Sequence, residues 1–512
     1  MQRRVKSLDA ILATAERKSL HRSLGAFQLT MMGIGGIIGT GIFVLTAEAA
    51  SKAGPAMMIS FVMAAVVCGF TALCYAEVAA MVPVSGSAYT YSYATFGEFF
   101  AWLIGWALVL EYAIAASAVS VGWSGYMVGL VRDLLHFQIG ATWTHGPLDP
   151  VAGVFNVPAA FVALLMASIL YIGTTESAKV NSILVAVKLA ALALFIVLAI
   201  PAIQGANFHP FNPYGFFKQE IIDPTDPTGT HIIAVGVASA AASIFFAYVG
   251  FDAVSTAAEE TRNPNRNIPI GLIGSLAICT VIYLLVASGA VGSIGAQPGG
   301  SLARSNDALA FVMRELHFPL ASKLLQIAAI IALPSVVLMM MFGQTRVAFV
   351  MARDGLLPAP LARVHSRYRT PYVITAVTGI FVAIFAGVYP VGRLAEVSNS
   401  GTLLAFFAVA LALLVLRRRD PARNRPFRTP AAWIVAPLAM IGCGFLFTQL
   451  SNATLHFFFG WTAIGLLVYF GWSRRNSNVA RGVVESGDAS PDAPPLGASP
   501  VGSARTPGFT EA

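Results

Sequence analysis

Gly33-Ile-Gly-Gly-Ile-Ile-Gly-Thr-Gly41 places five glycines within nine residues, inside an apolar run that covers about residues 27–48. Its spacing departs from GxGxxG and no strand pattern precedes it, so a dinucleotide loop does not fit. Gly35 and Gly39 form a GxxxG pair, which by itself supports close packing of helices in a bilayer. Five glycines so close together also weaken helix propagation, and a broken helix is the second reading. A break here presents backbone N–H groups from Ile37 to Gly41 at the positive end of the following half-helix, a site for a carboxylate. Irregular backbone at membrane depth is tolerated only where protein or a cavity surrounds it.

The rest of the chain supports a membrane setting. Of 512 residues, 57% are apolar and 11% charged, where soluble domains carry about 25% charged residues. Mean hydropathy is +0.73. Twelve apolar stretches reach the length of about 20 residues that a spanning helix needs. They lie near 27–48, 56–80, 97–129, 157–174, 180–202, 232–257, 269–292, 321–347, 372–389, 394–416, 431–449 and 455–472. With the amino terminus in the cytoplasm, 24 of the 32 lysines and arginines fall in cytoplasmic segments and 7 outside, as the positive-inside rule demands. Both termini are then cytoplasmic. This asymmetry accounts for the net charge of +8 without nucleic acid.

The basic segment 1–26 lacks an apolar core and cleavage site, so a cleaved signal peptide is not expected. Residues 473–512 are rich in Pro, Gly, Ser and Ala and read as a disordered cytoplasmic tail. The run from Arg417 to Arg428 reads as an anchor to anionic lipid head groups. Cys68, Cys74, Cys279 and Cys443 lie inside apolar runs without a CxxC pair, and the eight histidines form no HExxH. Neither a metal site, nor a cofactor, nor a catalytic cluster is expected.

A second interruption stands in the sixth stretch, at Phe245-Phe-Ala-Tyr-Val-Gly-Phe-Asp252. Unwinding near Ala247–Gly250 frees carbonyl oxygens that accept hydrogen bonds from an ammonium group. Interrupted helices at matching positions of two halves point to a transporter binding site. A carboxylate site on one helix and an ammonium site on the other together describe the backbone of an amino acid. Among the aromatics of this stretch, Phe246 is the preferred gate, the bland alternative being packing. Asp252 is placed to cap the second half-helix.

Lys188 lies inside Leu184-Val-Ala-Val-Lys-Leu-Ala-Ala-Leu192. An ionisable group within a span is a functional candidate by default. Its depth, roughly 12 Å at 1.5 Å per residue, approaches the middle of a ~30 Å hydrocarbon layer. Proton exchange during transport is one reading and snorkelling to the edge is the other. Glu111 in the third stretch suits either an ion pair within the protein or a cationic substrate. Glu77 reads as structural. Ser335, after Pro334 in the eighth stretch, is a candidate pocket residue.

At this point the residues carry a resemblance. Gly35-Gly-Ile-Ile-Gly-Thr-Gly-Ile-Phe43 resembles the first-helix motif of the amino acid–polyamine–organocation superfamily. Phe246-Ala-Tyr-Val-Gly-Phe-Asp-Ala-Val-Ser-Thr256, Glu259-Glu-Thr-Arg-Asn-Pro264, Ile268-Pro-Ile-Gly271, Gln344-Thr-Arg346 and Met351-Ala-Arg-Asp-Gly-Leu-Leu-Pro358 resemble its cationic amino acid transporter branch. The resemblance covers about residues 20–472. It implies an all-α membrane fold of the LeuT type: a five-plus-five inverted repeat (about 27–202 and 232–416) with two further helices at about 431–472. It implies substrate contacts from Ile37, Ile38, Gly39, Thr40, Gly41, Phe246, Ala247 and Gly250. It also matches Lys188 to a lysine linked to proton coupling in bacterial relatives.

The expectation is a permease, not an enzyme, in the plasma (inner) membrane, carrying amino acids by alternating access with proton symport or exchange. A sensor that binds without transport, and a polyamine or cationic amino acid exchanger, stand as alternatives. The sequence leaves open the cargo and whether a small accessory membrane subunit attends the protein.

Overall fold

The computed structural model describes residues 24–82, 87–151, 153–173, 178–223, 231–257, 261–297 and 299–481. The basic tail before residue 24, Glu259 and Glu260, and the tail from residue 482 lie outside the described residues.

The apolar stretch 27–48, whose glycines suggest a break, forms three pieces: α1 (Ala26–Ile37), α2 (Thr40–Phe43) and α3 (Leu45–Ala53). A 3₁₀ turn at Gly54–Ala56 leads into α4 (Met57–Met81). After α5 (Ser87–Thr95) come α6 (Glu98–Leu135), the short α7 (Ala141–Thr144), α8 (Val157–Ile172) and α9 (Ala178–Ala199). A hairpin of β1 (Gln219–Ile222) and β2 (Ile232–Val235) follows, paired antiparallel from Gln219↔Val235 to Ile222↔Ile232. The sixth stretch is again divided, into α10 (Val237–Ile244), a 3₁₀ turn at Phe245–Tyr248 and α11 (Ala253–Thr256). Then follow α12 (Pro264–Ile294), α13 (Ala308–Glu315), α14 (Pro319–Arg353), α15 (Tyr372–Val388), α16 (Val391–Arg419), α17 (Ala432–Thr448) and α18 (Asn452–Val468).

Among the described residues, seven helical spans are long and apolar enough to cross a membrane, and five further apolar helices are shorter, among them α1 and Val237–Tyr248. The short ones include the first pieces of both broken helices, because a helix interrupted midway needs more than one piece to cross ~30 Å.

Three details correct the sequence reading. Residues 232–235 are strand rather than helix: Ile232 and Ile233 are β-branched and find ladder partners in Ile222 and Ile221. α5 forms from the mixed polar and aromatic Ser87-Ala-Tyr-Thr-Tyr-Ser-Tyr-Ala-Thr95, whose composition falls below a spanning signal. Residues 473–481 are built against the bundle: Ser473 Oγ donates to Leu356 O at 2.6 Å, and Ser477 Oγ donates to the buried Glu98 carboxylate at 2.5 Å.

The packing places the interrupted helices centrally. α6 lies against both α14 and α16, and α12 lies against α1 and α4. α10 packs on α3 and α4. On the opposite side α8 pairs with α15, where Gly379 approaches Ala167 closely. Leu29, Ile38, Phe43, Tyr248 and Phe251 are fully buried in this core.

Candidate functional site

The two breaks touch. Gly250 has φ +117°, a conformation that L side chains rarely adopt, and a methyl group there would lie 2.6 Å from the Gly36 carbonyl carbon. A methyl on Gly41 would overlap Ala247, both its backbone and its side chain. The glycines thus allow two irregular backbone segments to cross without side chains between them.

At the first break, Ile38 donates its N–H to Ile34 O at 2.8 Å and closes α1. The next ladder bonds run from Phe43 N to Gly39 O and from Val44 N to Thr40 O. The N–H groups of Gly39, Thr40, Gly41 and Ile42 precede that ladder, as the opening of any helix requires. The expected donor set therefore moves: Ile37 and Ile38 finish the first half-helix, and Ile42 joins Gly39, Thr40 and Gly41. Thr40 Oγ1 lies 3.5 Å from Val119 O of α6. Val336 of α14 faces Gly39.

At the second break, Val249 is extended and its N–H returns to Phe246 O at 3.2 Å. The carbonyls from Ala247 to Gly250 lie outside the α-helical ladder, in the 3₁₀ turn and the turns that follow it. The structure so pairs a run of backbone donors with a run of backbone acceptors. Phe245, Tyr248 and Phe251 are engaged with other rings, Phe406 and Tyr283 among them. Phe246 takes part in no ring contact among the described residues and keeps a slight exposure of 5%. Asp252 is no side-chain cap. Its carboxylate accepts from Gly250 N at 3.2 Å and from Tyr112 OH at 3.0 Å, which ties the turn to α6.

Lys188 does not snorkel. It is 1% exposed and donates from Nζ to Gly35 O at 2.8 Å. Tyr283 OH donates to Ile37 O at 2.8 Å. The last carbonyls of a helix lack partners within it and carry its negative end charge. An ammonium from α9 and a hydroxyl from α12 supply them here.

The remaining candidates have partners of their own. Glu111 lies against α16, where Ser398 Oγ donates to its backbone carbonyl at 3.1 Å. Both of its carboxylate oxygens are buried without a hydrogen-bond partner among the described residues. Ser335 Oγ bonds Ala332 O of its own helix at 2.8 Å. Glu77 accepts from Arg417 at 2.6 and 2.9 Å and from Thr429 N at 2.7 Å, with Arg425 Nε at 3.3 Å. Arg419 Nη1 donates to Thr95 O, and Arg418 covers the Trp433 ring. Of the basic run expected at lipid head groups, Arg418, Arg419 and Arg428 stay exposed, while Arg417 and Arg425 are turned onto Glu77. A buried carboxylate gathers these cations more strongly than an exposed head group does.

Sequence reasoning missed one cluster. Lys52, at the end of α3, is buried and meets Glu48 at 3.1 Å, Ser243 Oγ of α10 at 2.7 Å and Glu396 of α16. Glu396 also accepts from Ser451 and from Thr454 Oγ1 of α18. The last piece of the first broken helix is so joined to the first piece of the other and to two more helices. An acidic residue inside the apolar stretch 394–416 was the available signal. Beside this cluster opens a vestibule of about 390 Å³ lined by Val44, Glu48, Gly125, His145, Asp149 and Arg393, among others. Burial pushes the Asp149 carboxyl up from its ordinary value, against the pull of His145.

No group of three His, Cys, Asp or Glu side chains suited to a metal ion occurs among the described residues. Comparison with known proteins bears on the whole span. The sequence profile described as "Amino acid permease" matches residues 24–470. The branched-chain amino acid permease BcaP of Bacillus subtilis is 43% identical over 478 residues, which is 93% of this chain and 98% of that protein. The methylthioribose transporter of the same organism is 41% identical with the same coverage. Human cationic amino acid transporter 4 is 34% identical over 82% of this chain and 63% of its own length.

Proposed function

Because the chain belongs to the amino acid permease family, we propose that it is a proton-coupled secondary transporter that moves neutral, branched-chain amino acids by alternating access. The observation that carries this reading is the crossing of two broken helices. Donors at Gly39–Ile42 suit a carboxylate, and acceptors at Ala247–Gly250 suit an ammonium group. Buried apolar side chains around the crossing, with Val336 against Gly39, suit an aliphatic side chain better than a charged one.

The architecture in this reading is twelve spans: two inverted repeats of five, each opening with a broken helix, and two more helices after them. Each repeat contributes one half of the site. Orientation follows the distribution of Lys and Arg, with both termini cytoplasmic and the Lys52 cluster outside. Lys188 holds the end of α1 as a cation. On losing its proton it releases that end, which links protonation to the movement of α1.

Relatives named for branched-chain amino acids support the cargo class, and the relative named for methylthioribose makes that sugar the competitor to include. The test is uptake into proteoliposomes of labelled leucine, alanine, lysine, arginine, glutamate and methylthioribose, with and without an inward proton gradient. Leucine accumulation driven by the gradient is expected. Accumulation only with sodium removes the coupling. Binding without movement makes the protein a sensor, and preference for lysine or arginine reverses the cargo.

A further inference from the structure

A groove of about 700 Å³ lies at the Arg417 end of the molecule, between the start of α12 and the loop after α16. One wall is a single face of α12: Arg266, Pro269, Ile270, Ile273 and Gly274, spaced at i, i+3, i+4, i+7 and i+8. The other wall is Pro426 and Phe427. That loop is held firmly, because Arg425 donates to Leu416 O at 3.0 Å and Asp420 O at 2.7 Å while Thr429 N is held by Glu77.

We propose that this groove binds an anionic phospholipid, with the phosphate at Arg266 and an acyl chain along Ile270, Ile273, Gly274 and Phe427. The charge is in place: Arg266 and Arg428 are exposed and form no ion pair among the described residues, whereas the other arginines of that loop are engaged within the protein. Polarity follows the membrane. The cation stands at one end of the stripe, and the apolar residues extend about 12 Å from it at 1.5 Å per residue, most of the ~15 Å depth of one leaflet. Ile270 is 42% exposed, an apolar surface that a chain would cover. Gly274 leaves the bottom open, since a methyl there meets only Thr30, at 3.7 Å. A zwitterionic head group carries its own cation beside the phosphate, which offsets the attraction to the guanidinium, so a net anionic head group is favoured. The site is independent of the cargo and coupling proposed above.

The experiment is native mass spectrometry of the full-length protein in detergent, titrated with phosphatidylglycerol or phosphatidylcholine of identical acyl chains. Wild type is expected to retain phosphatidylglycerol about fivefold over phosphatidylcholine, the attraction of one basic residue to an anionic head group. Arg266→Gln is expected to abolish that preference and leave phosphatidylcholine binding unchanged. Gly274→Leu, which fills the groove, is expected to reduce both lipids. Arg266 is exposed and Gly274 has space beside it, so both variants should match wild type in thermal unfolding. Equal retention of the two lipids by wild type overturns the proposal. So does an unchanged preference in Arg266→Gln, or unchanged binding in Gly274→Leu. Displacement of the lipid by chain-free glycerophosphoglycerol at equal concentration identifies a soluble phosphate site instead.

Discussion

Lys188→Met separates the two parts that Lys188 plays in the proposed cycle. Methionine keeps the length and apolar stem of lysine but carries no donor. The Gly35 carbonyl, held at 2.8 Å by Nζ, then has lost a charged donor inside the bilayer. A buried acceptor left unpaired costs about 1–3 kcal/mol, and a cation at a helix carboxyl end contributes up to about 2 kcal/mol. A middle value of about 2 kcal/mol corresponds to roughly 30-fold in an equilibrium constant. The arrangement of α1 that forms the site is thus expected to lose up to that factor, seen as a raised KM for leucine counterflow in proteoliposomes. Counterflow itself should continue, because the donors at Gly39–Ile42 and the acceptors at Ala247–Gly250 are intact. Accumulation under an inward proton gradient should be absent, since the variant has no exchangeable proton at this position. A variant that still concentrates leucine in proportion to the gradient refutes the coupling assigned to Lys188. A KM equal to that of wild type refutes its positioning of α1.

Gly250→Ala forces a methyl into a +117° φ and against Gly36, so transport should be lost with about 1–3 kcal/mol of destabilisation. Gly444→Ala, where a methyl meets nothing within 4 Å, should behave as wild type in the same uptake and melting assays. Glu396→Gln removes the charge opposite Lys52 and should loosen the closure at that end. A cysteine introduced at Val44, on the vestibule wall, should then react faster with a membrane-impermeant maleimide, and an unchanged rate would count against a closing role. Glu77→Ala leaves Arg417 and Arg425 without their shared carboxylate and should lower stability by about 3–5 kcal/mol, read from detergent melting, with the KM of surviving protein unchanged.

What the amino-acid order determined by itself was everything that depends on near neighbours. The bilayer setting followed from runs of apolar residues, and the breaks at Gly33–Gly41 and near Gly250 followed from local helix propensity. Lys188 stood out because a lone cation in an apolar run is costly wherever it folds. Only the tertiary structure decided the partners. It placed Lys188 on the carbonyl of Gly35, 153 residues away, and Lys52 on Glu396, 344 residues away. It moved the donor set from Ile37–Gly41 to Gly39–Ile42, because the point where a ladder bond stops depends on how α1 is held by α9 and α12. It turned Arg417 and Arg425 inward onto Glu77, where a basic run alone suggested lipid. Charge and propensity are properties of a residue and its neighbours in sequence, whereas a charge's partner is set by which helices the packing brings together.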